Sequence, residues 1–247
     1  MGLLIEGRQE TIVETRTIDR EDCDLPVIHA RPEGMPRAGI VLHPDIFGVR
    51  PLFEDLSRRL ASHGFSVACV EPFARVDSDV RSAAADDVAT RMSWVSGLRD
   101  VDQLGDLEAA ANMLVVEDDV ANIGVLGFCM GGMYALQAAK LDRFEASVAM
   151  YGMIRVPEAW RGPAVGEPLD NITDVVKTLA IFGSLDPWTP PEDIAALQSA
   201  WRERPDCEVI VIDGAEHGFV HAPERPAHRP DDAARLWQRT LDWFSSL

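Results

Sequence analysis

Six short apolar runs, most of them followed by a stretch of helical periodicity, constrain this chain more than any other feature. GIVLH (39–43), FSVACV (65–70), ANIGVLG (121–127), EASVAMYG (145–152), TLAIFG (178–183) and CEVIVID (207–213) carry the continuous hydrophobicity of strands buried on both faces. Between them lie helical patterns. Pro51 opens one with Leu52, Leu56 and Leu60 in step, and residues 83–96 are Ala-rich. Leu98, Val101, Leu104, Leu107, Ala111 and Leu114 form an amphipathic stripe, and 131–141, 192–204 and 231–247 also read as helices. Strands separated by helices of ten or more residues are βαβ units, so the expected fold is α/β, a mostly parallel central sheet with helices on both faces. TIVETRTI (11–18) and LPVIHA (25–30) read as an opening hairpin or edge strands, and 153–176 as a loop or lid. No repeat or linker interrupts the pattern, so residues 1–247 are expected to form a single domain.

Charge narrows the function. Lys and Arg number 23 against 41 Asp and Glu, a net charge of −18, which repels phosphate backbones and anionic headgroups. Neither a nucleic-acid partner nor a membrane surface is expected. Val120 to Ala139 is free of charged residues for twenty positions, yet its four glycines mark a strand, a tight turn and a helix rather than a membrane span. The aliphatic run before Glu6 is too short for a secretory leader, and Glu6 itself breaks the pattern a myristoylated Met-Gly terminus would need. A cytoplasmic protein is the default expectation. Cys23, Cys69, Cys129 and Cys207 are scattered without metal-ligand spacing, so neither a disulfide framework nor a metal site is expected.

The chemistry concentrates at Gly127-Phe128-Cys129-Met130-Gly131-Gly132, between a strand and a helix. This is the G-x-S-x-G nucleophile elbow with Cys for Ser. A nucleophile on so sharp a turn needs flanking glycines, because side chains there would collide. The turn sets the sulfur at the positive end of a helix, which favours thiolate, and aims the Met130 N–H where an oxyanion would form. Asp186 follows the strand TLAIFG, and His217 follows CEVIVID. Carboxyl ends of parallel strands share one edge, so Cys129, Asp186 and His217 should meet there, in the nucleophile, acid, base order of α/β-hydrolases. His217 would move protons and Asp186 would fix its tautomer. Phe73, Trp94, Tyr151 and Trp188 follow or approach strand ends, placed either to line a substrate pocket or to fill the core. His221 and His228, in a Pro-rich loop of mixed charge, are expected to face solvent.

From about Leu25 to Phe244 the chain resembles the dienelactone hydrolases, α/β-hydrolases with a Cys-Asp-His triad. The resemblance rests on Asp45-Ile46-Phe47-Gly48, Gly105-Asp106-Leu107-Glu108-Ala109-Ala110, the cysteine elbow, Asp186-Pro187, His217-Gly218-Phe219 and Trp237-Gln238-Arg239-Thr240-Leu241. It implies Cys129 as nucleophile, His217 as base, Asp186 as its orienting acid, and the Ile46 loop as donor of a second oxyanion N–H beside Met130. The family's thiol-activating Glu corresponds to Asp45, one methylene shorter. The family's arginine four residues after the histidine is His221 here, and its other arginine has no counterpart; Asp86 and Asp87 lie in that region, with Arg75, Arg81 and Arg91 as possible substitutes. Neutral small esters or lactones are therefore expected to be better substrates than dienelactone. The expected activity is cofactor-free hydrolysis of a small-molecule ester or lactone through a thioester acyl-enzyme. The alternatives are a binding or redox-sensitive homologue without turnover, or a hydrolase of other activated esters such as phosphoesters. Monomer and homodimer are equally open.

Overall fold

The computed structural model describes residues 4–247; Met1, Gly2 and Leu3, which open the run read above as too short for a leader, lie outside them. A hairpin of β1 (Thr11–Asp19) and β2 (Asp24–Pro32) leads into β3 (Ala38–His43), α1 (Pro51–Ser62) and β4 (Phe65–Val70). Helices α2 (Ser78–Ala83), α3 (Val88–Val95) and α4 (Asp100–Asp118) precede β5 (Ile123–Phe128), α5 (Met130–Ala138) and β6 (Ala146–Met150). The chain closes with β7 (Lys177–Gly183), α6 (Pro191–Ala200), β8 (Cys207–Ile212) and α7 (Pro230–Trp243). The eight strands form one sheet in the order β1-β2-β4-β3-β5-β6-β7-β8. The strands from β4 to β8 along this order pair parallel, while β1–β2 and β2–β4 pair antiparallel.

Alternation along the central strands divides the core between the two faces of the sheet. Val41, Ala68, Val125 and Ala180 pack in a cluster with Leu107 and Leu114 of α4 and Met133 and Tyr134 of α5. Their neighbours Ile40, Leu42, Val67, Leu126 and Ile181 pack in the other with Phe53, Leu56 and Leu60 of α1 and Leu236 and Trp237 of α7. Every residue of β3, β4, β5 and β6 is buried, as the continuous hydrophobic runs require. The uncharged stretch from Val120 to Ala139 is β5, the elbow and α5, and no helix among the described residues is long and apolar enough to cross a membrane.

One expectation fails locally. Residues 83–96 do not form one helix. Asp87 accepts from the Thr90 N–H and starts α3, while Asp77 caps α2 through the N–H groups of Asp79 and Val80. Side-chain caps offer the backbone a local alternative to continuing a helix, and here two of them override alanine propensity. The strand carboxyl ends then present the loops after β3, β5, β6, β7 and β8 along one edge, as expected for a parallel sheet.

Candidate active site

Cys129 occupies the turn between β5 and α5 with φ 56° and ψ −117°, a conformation costly for any residue but glycine. Two bonds hold it there. Its N–H donates to the Met150 carbonyl at 3.0 Å, and its carbonyl accepts the Met133 N–H at 3.0 Å. The glycines are demanded by contact: a Cβ on Gly127 would lie 1.9 Å from the Gly131 oxygen, and one on Gly131 would lie 2.2 Å from the His43 oxygen. Strain of about 1–3 kcal/mol is offset by close strand–helix packing around the turn. The Met130 N–H belongs to the first turn of α5, where no intrahelical acceptor exists. In the loop after β3, the Gly48 N–H bonds to the Asp45 carbonyl and the Phe47 N–H to Asp45 Oδ1, which leaves the Ile46 N–H outside both bonds. Glu71 braces that loop from beneath, accepting from the Val49 and Phe73 N–H groups.

His217 stands beside Cys129 in the same cavity. Its Nδ1 donates to Asp186 Oδ2 at 2.7 Å, and Asp186 Oδ1 accepts the Trp188 N–H at 2.8 Å. Asp186 is buried, and the pairing fixes the tautomer with the proton on Nδ1. Nε2 is buried and meets no hydrogen-bond partner among the described residues. Burial alone would disfavour the imidazolium, but the charge of the Cys129 sulfur and then the bond to Asp186 outweigh it, and the His217 pKa is pushed up to about 10.

Asp45 has different company. Arg50 grips it with Nη1 on Oδ1 at 2.5 Å and Nη2 on Oδ2 at 2.8 Å, and His221 Nε2 donates to Oδ2 at 2.8 Å. With the Phe47 N–H, four donors meet the roughly four lone-pair sites of one carboxylate. No hydrogen bond joins Asp45 to Cys129 among the described residues, in contrast to the thiol contact expected from the resemblance. Burial works to raise the Asp45 pKa, but His221 and Arg50 outweigh it and hold it below the usual carboxylate range. His221 is fully buried, which corrects the expectation that it faces solvent. Burial pushes its pKa down, so it is neutral; Nε2 carries the proton and Nδ1 accepts from the Tyr151 hydroxyl. Tyr151 follows β6 with φ 40° and packs edge-on to His217, ring centroids 5.2 Å apart.

The cavity at Cys129 encloses about 220 Å³ and is mainly apolar, with Ile46, Phe47, Val88, Met92, Trp160 and Trp188 in its wall. Of the four aromatics read as pocket or core, Trp188 lines this cavity, stacked on Trp160 at 5.5 Å. Tyr151 is fully buried behind His217 and does not line the cavity. Phe73 and Trp94 do not line it either. They pack edge-on to each other beside a separate cavity of about 410 Å³, although Val88 and Met92 of the same helix α3 as Trp94 line the Cys129 cavity. Arg75 is held by Asp22 and Asp106, Arg81 by the carbonyls of Phe73, Ala74 and Val76, and Arg91 by that of Ala84. None of the three lines the Cys129 cavity. Arg225, which sequence reasoning passed over, does line it. Its guanidinium lies against the Gly218 backbone, where a Cβ would come within 2.3 Å of Nη1, and it has no ion-pair partner among the described residues. Also among the described residues, no three His, Cys, Asp or Glu side chains converge as a metal-ligand set.

The chain as a whole has counterparts among known proteins. Residues 25–247 match the model of the dienelactone hydrolase family. A protein of Escherichia coli O157:H7 named "Putative carboxymethylenebutenolidase" is 32% identical over 249 residues, covering 98% of this chain and 90% of its own. The carboxymethylenebutenolidase of Rhodococcus opacus is 29% identical over 222 residues, covering 89% of this chain and 85% of its own. The crystal structure of a "Putative Dienelactone Hydrolase" from Klebsiella pneumoniae superposes with a TM-score of 0.86 at 27% identity, covering 96% of this chain and all of that one. The chain therefore belongs to the dienelactone hydrolase family and is a carboxylic-ester hydrolase with the α/β-hydrolase fold.

Proposed function

We propose that the protein hydrolyses small esters or lactones through a thioester formed on Cys129. The observation that carries this reading is the Cys129 backbone, held at φ 56° on a glycine-flanked elbow in one cavity with a His217 already oriented by Asp186. The Cys129 sulfur, as thiolate, attacks the carbonyl carbon, and the Met130 and Ile46 N–H groups receive the resulting oxyanion. Collapse of the tetrahedral intermediate breaks the C–O bond, and His217 gives its Nε2 proton to the departing alkoxide. Water then attacks the thioester with neutral His217 taking its proton, and cleavage of the C–S bond releases the acid and returns the Cys129 thiolate beside protonated His217. Amides are poor substrates in this scheme, because the intermediate expels thiolate before amine.

Arg225 revises the expected substrate preference. The clamp positions of the family are empty of arginine, but a carboxylate in this cavity has a cation available at its rim, one with no ion-pair partner among the described residues. Carboxylate-bearing lactones of the kind named for the Rhodococcus relative fit that charge better than neutral esters do. The test of the reaction itself is Cys129→Ala, which should lose at least about a thousandfold in turnover of an activated ester while melting within a few degrees of wild type. Full turnover in that variant would remove the proposed nucleophile.

A further inference from the structure

We propose that His221 is a positioning residue that holds the oxyanion loop, the elbow strand end and the base loop in mutual register. The inference rests on the reading of Cys129 and His217 just given and asks what keeps their surroundings in place. Three loops meet at this one buried ring. The loop after β3 reaches it through Asp45, which bonds His221 Nε2 at 2.8 Å. The loop after β6 reaches it through the Tyr151 hydroxyl on Nδ1. The loop after β8 contributes His221 itself, four residues beyond His217.

Each connection ends one step from a reacting group. Asp45 precedes Ile46, whose N–H is the second oxyanion donor, and its carboxylate ties down Phe47 and Arg50 on the same loop. Tyr151 follows Met150, whose carbonyl fixes the Cys129 N–H. Tyr151 is itself in a strained, positive-φ conformation, held by its N–H on the Ile181 carbonyl at 2.7 Å and by its hydroxyl on His221. Rings close the remaining space: His221 stacks on Phe128 at 5.0 Å and lies 5.6 Å from Phe53. Phe128 is the last residue of the strand that delivers Cys129.

A neutral imidazole suits this place because it donates on one side and accepts on the other. Asp45 is ionised and needs a donor, and the Tyr151 hydroxyl needs an acceptor. With its acceptor sites filled, Asp45 acts on the reaction through the loop it anchors rather than on the sulfur. An error of under an ångström in the Ile46 N–H would cost transition-state stabilisation without altering thiolate chemistry at Cys129.

The test compares wild type with His221→Phe, His221→Gln and Tyr151→Phe. Each is assayed for kcat and KM on p-nitrophenyl acetate and for the rate of Cys129 alkylation by iodoacetamide. Phe fills the space but neither donates nor accepts; Gln does both without titrating. His221→Phe should lose about a hundredfold in kcat, the scale of a displaced oxyanion donor, with KM and alkylation rate within about threefold of wild type. His221→Gln should recover kcat to within about fivefold, and Tyr151→Phe, which keeps the Asp45 connection, should fall by about fivefold. Wild-type kcat in His221→Phe would overturn the inference, as would a Gln variant no better than Phe. Alkylation lost in parallel with turnover would also overturn it, because His221 would then act on the thiol. If wild type itself formed no acyl product, the reading of Cys129 would fall, and this inference with it.

Discussion

Two clusters of charged and polar groups lie within one active-site edge, and they differ in how far their hydrogen bonds are filled. Around Asp45 everything is satisfied: Arg50, His221, Tyr151 and the Phe47 N–H use the carboxylate's acceptor sites and both imidazole nitrogens. Around Cys129 the chain stops short. Asp186 orients His217 through Nδ1, and the buried Nε2 meets no hydrogen-bond partner among the described residues. The filled cluster is architecture, since a buried carboxylate is tolerable only when paired and fully hydrogen-bonded. The unfilled one is where a reacting atom can be accepted. An open ring nitrogen beside a strained cysteine is the arrangement that the proposed chemistry requires.

Breaking the filled cluster should have the largest effect on stability. Arg50→Ala removes the one cation that grips Asp45 among the described residues and leaves a 3% exposed carboxylate with a neutral histidine, at a cost of about 3 kcal/mol in urea unfolding. A loss below 0.5 kcal/mol would show that the ion pair is not structural. On the unfilled side, Arg225→Ala should lower kcat/KM for a carboxylate-bearing lactone about tenfold relative to a neutral ester of the same size, with the gap shrinking at high salt. An unchanged ratio would restore the preference for neutral substrates inferred from the missing clamp.

The smallest effect separates the two clusters by pH. Asp45 titrates below its ordinary value of 3.8 in the folded protein, so its contribution to stability is present above that pH and drains away as pH falls through the folded pKa. Asp45→Asn has no such proton to gain. Its stability deficit against wild type should therefore narrow by about 1 kcal/mol between pH 4 and pH 3. A deficit that stays constant over that interval would mean that Asp45 is not held ionised by Arg50 and His221.

The two clusters were unequally visible in the sequence. The elbow is contiguous: three glycines, a cysteine and a strand–helix junction lie within six residues, so local sterics alone reveal it. Asp186 and His217 were legible because parallel topology sends successive strand ends to one edge. His221 was not, because a Pro-rich loop of mixed charge has the composition of solvent-facing chain. The loop nevertheless turns inward at Phe219, Val220 and His221, all fully buried, before emerging at Arg225. Arg225 was missed for the same reason, since its approach to Gly218 depends on that reversal. Phe73 and Trp94 were read near strand ends as either pocket lining or core, a choice that composition could not make, and they pack edge-on to each other beside a second cavity.

The central claim is that the unfilled cluster makes and breaks a covalent bond at one sulfur. Mass spectrometry of His217→Ala after brief exposure to p-nitrophenyl acetate tests it most directly, because without a base the acyl-enzyme should form faster than water can remove it. The account predicts a protein heavier by one acetyl group, about 42 Da, mapped to the peptide carrying Cys129, released by hydroxylamine and absent when Cys129 is also replaced by Ala. Turnover of the ester by wild type with no such adduct in the variant, or an adduct mapped to another residue, would contradict it.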